Sequence, residues 1–136
     1  KIIETTVFKM TIQTHPILFH TTEWNSIPQT EHRGETGVAR WRTIQHGTLR
    51  MRVVEYSNNY LANGWCTLGH ILYCLEGEMT TELSDGRSFT LNKGMSYEVT
   101  DGVTAHRSRS EHGVKLLIID GAFLRPSKNN YNPWKM

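Results

Sequence analysis

Cysteine is scarce in this sequence, and it has no long apolar run and no block of like charges. Cys66 and Cys74 are too few for the disulfide framework of a small secreted protein, so two free thiols in a reducing compartment are expected. The 15 basic and 13 acidic side chains are scattered, which argues against a nucleic-acid or membrane-surface partner. No apolar run approaches the roughly 20 residues that span a bilayer. We therefore expect a cytoplasmic protein.

Helix signals are also few, and the sequence consists largely of β-rich runs between turn residues. Residues 38–56 contain two such runs around His46-Gly47, a pattern that predicts a hairpin. Six further strands are predicted, at residues 69–78, 78–85, 86–92, 95–100, 104–109 and 114–121. Strands that recur at such short intervals are typical of an all-β sandwich or barrel.

The length of 136 residues fits one domain with one sizeable core. We predict a single domain over residues 1–136, with an irregular C-terminal tail at about residues 125–136 that carries two prolines. The segment from Lys1 to Pro28 is predicted to form one or two strands and a loop. Residues 30–37 are predicted to form a solvated surface loop, in preference to an acid-base site.

The stretch NGWCTLGHILYCLEGE, residues 63–78, has the spacing of the first cupin sequence motif. In cupins a glycine closes a Leu-Glu-Gly turn after a metal-binding glutamate, and a His-x-His pair precedes that glutamate. Counting back from Gly77 places His70 at the glutamate position, Cys66 at the second histidine position and Gly64 at the first. The resemblance implies that Cys66 and His70 bind a metal.

The stretch GMSYEVTDGVTAH, from Gly94 to His106, is similar to the second cupin motif, with Thr100 in place of its proline. This resemblance makes His106 the third metal ligand. Together with GETGVARWR and LRMRVVEYS, these stretches resemble the small single-domain cupins called DHCW-motif proteins along nearly the whole chain. Members of that family typically carry Asp-His before Trp-Cys, where this chain has Asn63-Gly64. The resemblance implies a double-stranded β-helix, or jelly-roll barrel.

A shared metal requires a turn between Cys66 and His70, because residues four apart on a straight strand lie roughly 13 Å from each other. We expect Gly69 to supply that turn with a positive φ angle, so that Cys66 and His70 face each other across two antiparallel strands. His106 would then enter from a neighbouring strand. A thiolate and two imidazoles favour zinc, with iron, nickel and copper as alternatives, and three ligands leave an open position.

The alternative interpretation involves no metal. Cys66 is then a buried thiol packed beside Trp65, while His70 and His106 are hydrogen-bonded residues of a polar barrel interior. Cys74 lies within an apolar strand and has no partner at a matching position, so it is predicted to be a core residue under either interpretation.

The hairpin at residues 38–56 carries four arginines at period-two spacing: Arg40, Arg42, Arg50 and Arg52. If His46-Gly47 forms the turn, Thr43 lies opposite Arg50 and Trp41 lies opposite Arg52. The two arginine pairs then point to opposite faces of the hairpin. One pair can enter the barrel and bind a carboxylate or phosphate, or both can be solvated. The predicted ligand-binding residues are Arg52, Trp41, Tyr97 and Trp65.

Three classes of function fit these features. The first is a metal-dependent enzyme that acts on a small polar organic molecule, although no catalytic residue can be named. The second is a binding module that holds a small-molecule ligand without a metal. The third is a structural homodimer whose sheets pair through the outward apolar residues Ile71, Tyr73 and Leu75. We expect a homodimer in each case. No recognisable nucleophile, phosphate loop or pair of catalytic carboxylates supports catalysis without a metal.

Overall fold

The computed structural model describes residues 16–126 of the chain. Their strands are β1 (Thr30–Arg33), β2 (Val38–His46), β3 (Leu49–Tyr56), β4 (Tyr60–Leu61), β5 (His70–Leu83), β6 (Ser88–Asn92), β7 (Ser96–Val99), β8 (His106–Ser110) and β9 (Val114–Asp120). All their pairings are antiparallel. The helical residues in this part of the chain are two short 3₁₀ turns, Trp24–Ser26 and Ala122–Leu124. The predicted all-β class is confirmed.

The longest strand, β5, joins the two halves of a curled sheet. Its first half pairs with β9 and β7, and its second half pairs with β8 and β6. The predicted division into two strands, at residues 69–78 and 78–85, is wrong, because β5 is continuous from His70 to Leu83 with a register shift between Cys74 and Glu76. Gly77 has a φ of +80°, and a Cβ there would lie 2.5 Å from the Gly113 carbonyl oxygen. Glycine thus lets the strand bend from one half to the other.

The core consists of alternating residues on the inner face of the curled sheet. Val54 on β3, Leu72 and Cys74 on β5, and Leu116 on β9 are all at most 1% exposed. Their period-two spacing places them on one face, as the pattern of the sequence requires. The prediction that Cys74 is a core residue is confirmed.

The hairpin of β2 and β3 turns one residue later than expected, at Gly47-Thr48. His46 pairs with Leu49, and Thr43 lies opposite Arg52, so the predicted partners were wrong by two positions. Gly47 has a φ of +57°, which favours glycine at the first position of the turn. A shift of two positions leaves every side chain on its predicted face. The arginine pairs therefore do point to opposite faces, and Arg52 lies inside.

Residues 30–37, predicted as a loop, begin with strand β1, which pairs with β2. Backbone pairing to the neighbouring strand decides this despite the polar composition. Residues 16–28 contain one 3₁₀ turn and no strand. The predictions for residues 1–15, and for the tail beyond residue 126, lie outside the described residues. In the described part of the chain no helix is long and apolar enough to cross a membrane.

Candidate metal centre

Three side chains predicted as metal ligands lie together at one end of the barrel. Cys66 precedes β5, His70 is the first residue of β5, and His106 is the first residue of β8. Their ligand atoms all lie within 4.8 Å of one another, and Cys66 Sγ is 3.6 Å from His70 Nε2. Both histidines are buried, whereas Cys66 is half-buried. The structure therefore brings together the thiol and the two imidazoles that the sequence indicated.

The backbone places Cys66 differently from the expected arrangement. Cys66 pairs with His106, with N–H to O=C hydrogen bonds of 2.8 and 3.0 Å in the two directions, rather than with the strand of His70. The expected positive φ angle at Gly69 is also wrong. Glycine is needed there for another reason, because a Cβ would lie 2.5 Å from the Val99 carbonyl oxygen. The Gly69 N–H also donates to the Asp101 carboxylate.

Both imidazoles are oriented by hydrogen bonds at Nδ1. His70 Nδ1 lies 3.0 Å from Asp120 Oδ2, and His106 Nδ1 lies 3.0 Å from the Thr104 carbonyl oxygen. Because both partners are acceptors, the neutral form of each ring carries its proton on Nδ1, and Nε2 then has a lone pair for a metal. Nε2 of His106 is buried and has no hydrogen-bond partner among the described residues. A metal ion is the partner that this nitrogen fits, so the residues present suit a metal.

The electrostatics of the three groups favour a thiolate. The neighbouring His106 and His70 side chains lower the pKa of Cys66 to about 5, although burial opposes the shift. Burial lowers the pKa of His70, but its hydrogen bonds with Asp120 and Cys66 raise it by more, and the net shift is upward. The thiolate is the form of cysteine that binds metals. The site therefore has a ligand ready for a soft or borderline cation.

Asp120, which was not among the residues predicted for the site, is the centre of the surrounding polar network. Its carboxylate accepts two hydrogen bonds from Arg50, at 2.8 and 3.0 Å, and one from Arg52 at 2.9 Å. Burial raises the pKa of Asp120, but the bonds with His70, Arg50 and Arg52 lower it by more. The signal was present in the sequence, because Asp120 continues the inward alternation of Leu116 and Ile118.

A cavity of about 470 Å³ opens beside the three candidate ligands. The four predicted ligand-binding residues, Arg52, Trp41, Tyr97 and Trp65, all contribute to its lining. The Arg52 guanidinium lies over the Trp41 ring, 4.3 Å from the ring centre. Burial raises the pKa of Tyr97, so its hydroxyl stays neutral. Whether these residues bind a ligand stays a prediction.

Gly64, at the position of the first cupin histidine, also lines the cavity. Its φ angle is +72°, a conformation that side chains other than glycine rarely adopt. A Cβ there would meet no atom within 4 Å. The backbone conformation, rather than lack of space, therefore explains the glycine.

Comparison with known proteins identifies the fold. No protein-family model and no curated protein match the chain. Protein NMB1881 from Neisseria meningitidis is 28% identical over 60% of this chain and 82% of its own, with a TM-score of 0.50. A predicted oxalate decarboxylase from Thermotoga maritima is 13% identical over 75% of this chain and 99% of its own, with a TM-score of 0.65. Fe(II)-HppE, solved with an alternative substrate, is 15% identical over 75% of this chain and 60% of its own, with a TM-score of 0.62.

The matching structures include a cupin-2 domain containing protein. The matches with TM-scores of 0.64 and 0.65 extend over 76% and 75% of this chain. The narrower resemblance to DHCW-motif proteins stays a prediction. By its strands and by these matches, the chain is a small protein with the cupin fold.

Proposed function

We propose that this protein binds a divalent transition metal, most favourably zinc, through Cys66, His70 and His106. The observation that carries the proposal is the convergence of three ligand atoms within 4.8 Å, one of them a buried nitrogen without a partner among the described residues. One thiolate and two imidazoles match the ligand preferences of zinc, while iron, nickel and copper are the alternatives to be tested. The matching structure of Fe(II)-HppE supports a metal in a cupin fold.

The cavity beside the centre supports a second part of the proposal, a small polar organic ligand. Three protein ligands leave a coordination position open, and the cavity of about 470 Å³ lies next to the three side chains. A metal bound there supplies Lewis acidity to a ligand in the cavity. The protein's own residues hold the two imidazoles in one tautomer and surround the ligand with Trp41, Tyr97 and Arg52.

Elemental analysis tests the metal centre directly. Protein purified without chelator or affinity metal should contain close to one transition-metal ion per chain. The variants Cys66→Ser, His70→Ala and His106→Ala should each lose most of that metal while keeping a β-rich circular dichroism spectrum. His112→Ala is the matched control, because His112 is highly exposed and is not one of the three clustered ligands. Equal metal content in all four variants would contradict the proposal.

The sequence also predicted a metal-free binding module. That alternative would hold if the cavity binds small molecules and added zinc has no effect on their binding. The predictions of a homodimer and of a cytoplasmic location stay separate proposals, and sedimentation analysis tests the first of them.

A further inference from the structure

The charges that line the cavity indicate which class of molecule it binds. Among the described residues, the lining includes four arginines and no aspartate or glutamate: Arg33, Arg50, Arg52 and Arg107. Asp120 lies behind the wall, where it contacts Arg50 and Arg52. Glu82 pairs with Arg107 at 2.9 Å, and a Cys66 thiolate adds one negative charge on the metal side of the cavity. Arg33, together with the Arg50 and Arg52 pair that shares Asp120, still leaves an excess of positive charge on the arginine side, which favours a ligand of the opposite sign.

The two inner arginines share a single counter-charge. Arg50 and Arg52 both bond to Asp120, so one carboxylate faces two guanidinium groups. The Arg52 side chain is only 5% exposed, and its Nε has no hydrogen-bond partner among the described residues. Burial and the neighbouring Arg50 both lower the pKa of Arg52. A buried guanidinium with an unpaired N–H is unfavourable, and an oxyanion in the cavity would offset the excess positive charge.

The same pair lies close to the proposed metal centre. Asp120 Oδ2 accepts from Arg52 Nη2 and from His70 Nδ1, at 2.9 and 3.0 Å, so one oxygen atom joins the arginine to a metal ligand. Both guanidinium groups also lie over Trp41, with Arg50 5.7 Å and Arg52 4.3 Å from the ring centre. Stacking on the ring and the bonds to Asp120 limit the rotation of these side chains, so both guanidinium groups are held in the wall of the cavity.

We infer that the cavity takes a small organic carboxylate, with one carboxylate group on Arg50 and Arg52 and the other end of the molecule at the open metal position. The inference deepens the proposed function and rests on it for the metal-facing end. The carboxylate-binding end rests on the arginine pair alone. Arg50 already donates from Nε and Nη2 to Asp120, and Arg52 donates from Nη2, so a ligand carboxylate would accept from the remaining Nη groups of the pair. These charge-assisted hydrogen bonds are ones that a neutral amide cannot reproduce with equal strength.

Calorimetric titration with succinate and with its neutral analogue succinamide tests the inference. Both probes have the same carbon skeleton, so a difference in affinity reports charge. Succinate should bind the zinc-loaded protein at least about tenfold more tightly, since charge-assisted bonds are roughly twice as strong as neutral ones. The preference should persist in metal-free protein, because the arginine pair is still present. Equal affinities for the two probes in both forms would overturn the inference.

Variants of the arginines locate the effect. Arg50→Gln and Arg52→Gln should each weaken succinate binding by roughly tenfold to a hundredfold, with little change for succinamide. The control is Arg40→Gln, because Arg40 points outward from β2 and pairs with Glu31 on the surface. Arg50 is 28% exposed, so its variant remains informative if replacement of the buried Arg52 prevents folding. An equal loss in Arg40→Gln would show a general surface-charge effect and would contradict the site.

The metal arm separates this inference from the proposed function. Zinc stoichiometry is measured on the same samples before each titration. Zinc binding without a preference for succinate would reject the carboxylate site and leave the metal centre intact. A preference for succinate that depends on Arg52, in a protein that takes up no zinc, would reject the metal centre and retain the carboxylate site.

Discussion

Two layers of inward-facing side chains, on the same three strands, differ completely in chemistry. The apolar layer consists of Val54 on β3, Cys74 on β5 and Leu116 on β9, which are all fully buried. The polar layer consists of Arg50, His70 and Asp120, four residues away along each strand. One pleated scaffold therefore supports a hydrophobic core at one level and a charged network at another, as period-two alternation allows.

The difference shows how the fold divides stability from function. Burying apolar groups in the first layer contributes roughly 1.5 to 3 kcal/mol for each large side chain. The polar layer carries charges whose desolvation offsets most of their mutual attraction, so its net contribution is small. Charges kept inside a protein in this way are common at functional sites. The apolar layer should thus control folding, and the polar layer should control binding.

The largest expected effect is on the apolar layer. Leu116→Ala should lower the free energy of unfolding by about 2 to 5 kcal/mol, because the 0% exposed side chain leaves a cavity among close-packed neighbours. Metal content per folded chain should be unchanged. Leu117→Ala, on the opposite face of β9, is the control and should cost about 1 kcal/mol or less. Urea denaturation measures both, and equal losses would contradict the division into layers.

The second effect is expected in the polar layer. Asp120→Asn should weaken zinc binding by about tenfold to a hundredfold, because the carboxylate orients His70 and makes it a better ligand. The free energy of unfolding should fall by on the order of 2 kcal/mol, since the partly exposed Arg50 and the buried Arg52 both lose their charge partner. Competition with a zinc chelator measures the first quantity. Unchanged zinc affinity in this variant would separate Asp120 from the metal centre.

The acid limb of stability tests the same carboxylate. The pKa of Asp120 is lowered in the folded protein, so its ionised form stabilises the fold above the ordinary aspartate value of about 3.9. This stabilisation is lost as pH falls further, toward the folded-state pKa. Metal-free wild-type protein should therefore lose stability below about pH 4 more steeply than Asp120→Asn. Parallel acid limbs in the two proteins would contradict the assignment.

The third effect compares the two cysteines in metal-free protein. Cys66 should react with iodoacetamide with a midpoint near pH 5, because the neighbouring histidines lower its pKa to about 5. Burial raises the pKa of Cys74, which is 0% exposed, so Cys74 should react only after unfolding. Peptide mass spectrometry measures each site, and added zinc should protect Cys66. A midpoint near the ordinary thiol value of about 8.5 would disprove the thiolate.

The apolar layer was easier to predict from the sequence than the polar one. Alternation of apolar residues, together with glycine-containing turns, located most strands of β5 to β9 to within two residues. A hydrophobic contact depends on which face of the sheet a residue occupies, and successive residues of a strand alternate between the two faces. The hairpin turn at Gly47 was misplaced by one residue, yet Arg52 remained on the inner face for this reason.

The polar layer depends on contacts between strands that are distant in sequence. Asp120 and His70 are separated by 50 residues, and no local pattern states that they meet. The three ligands were found through a resemblance to known motifs, whereas their backbone support was predicted incorrectly at Gly69. Local spacing could not show that β8 supplies the strand beside Cys66. A better guide to the polar layer would have been the position of Asp120 on β9, where it faces inward like Leu116 and Ile118.

The smallest expected effect concerns Gly64, where cupins carry a histidine. If the residues at 64 and 66 shared one strand face, Gly64→His would add a fourth ligand and tighten zinc binding. The structure favours another outcome, because Gly64 has a φ of +72° and lies outside the strands, and Cys66 forms only an isolated pair with β8. Gly64→His should therefore cost about 1 kcal/mol of stability and leave zinc affinity unchanged.

A matched variant separates backbone strain from metal binding at this position. Asparagine tolerates a positive φ angle better than other residues, so Gly64→Asn should be less destabilised than Gly64→His. A Cβ at residue 64 meets no atom within 4 Å, so a clash at Cβ affects neither variant. Thermal melting and chelator competition on both proteins decide the matter. Tighter zinc binding in Gly64→His alone would mean that the backbone at residue 64 rearranges so that histidine becomes a fourth ligand. The polar layer would then accept a change of backbone conformation, which the close-packed apolar layer does not.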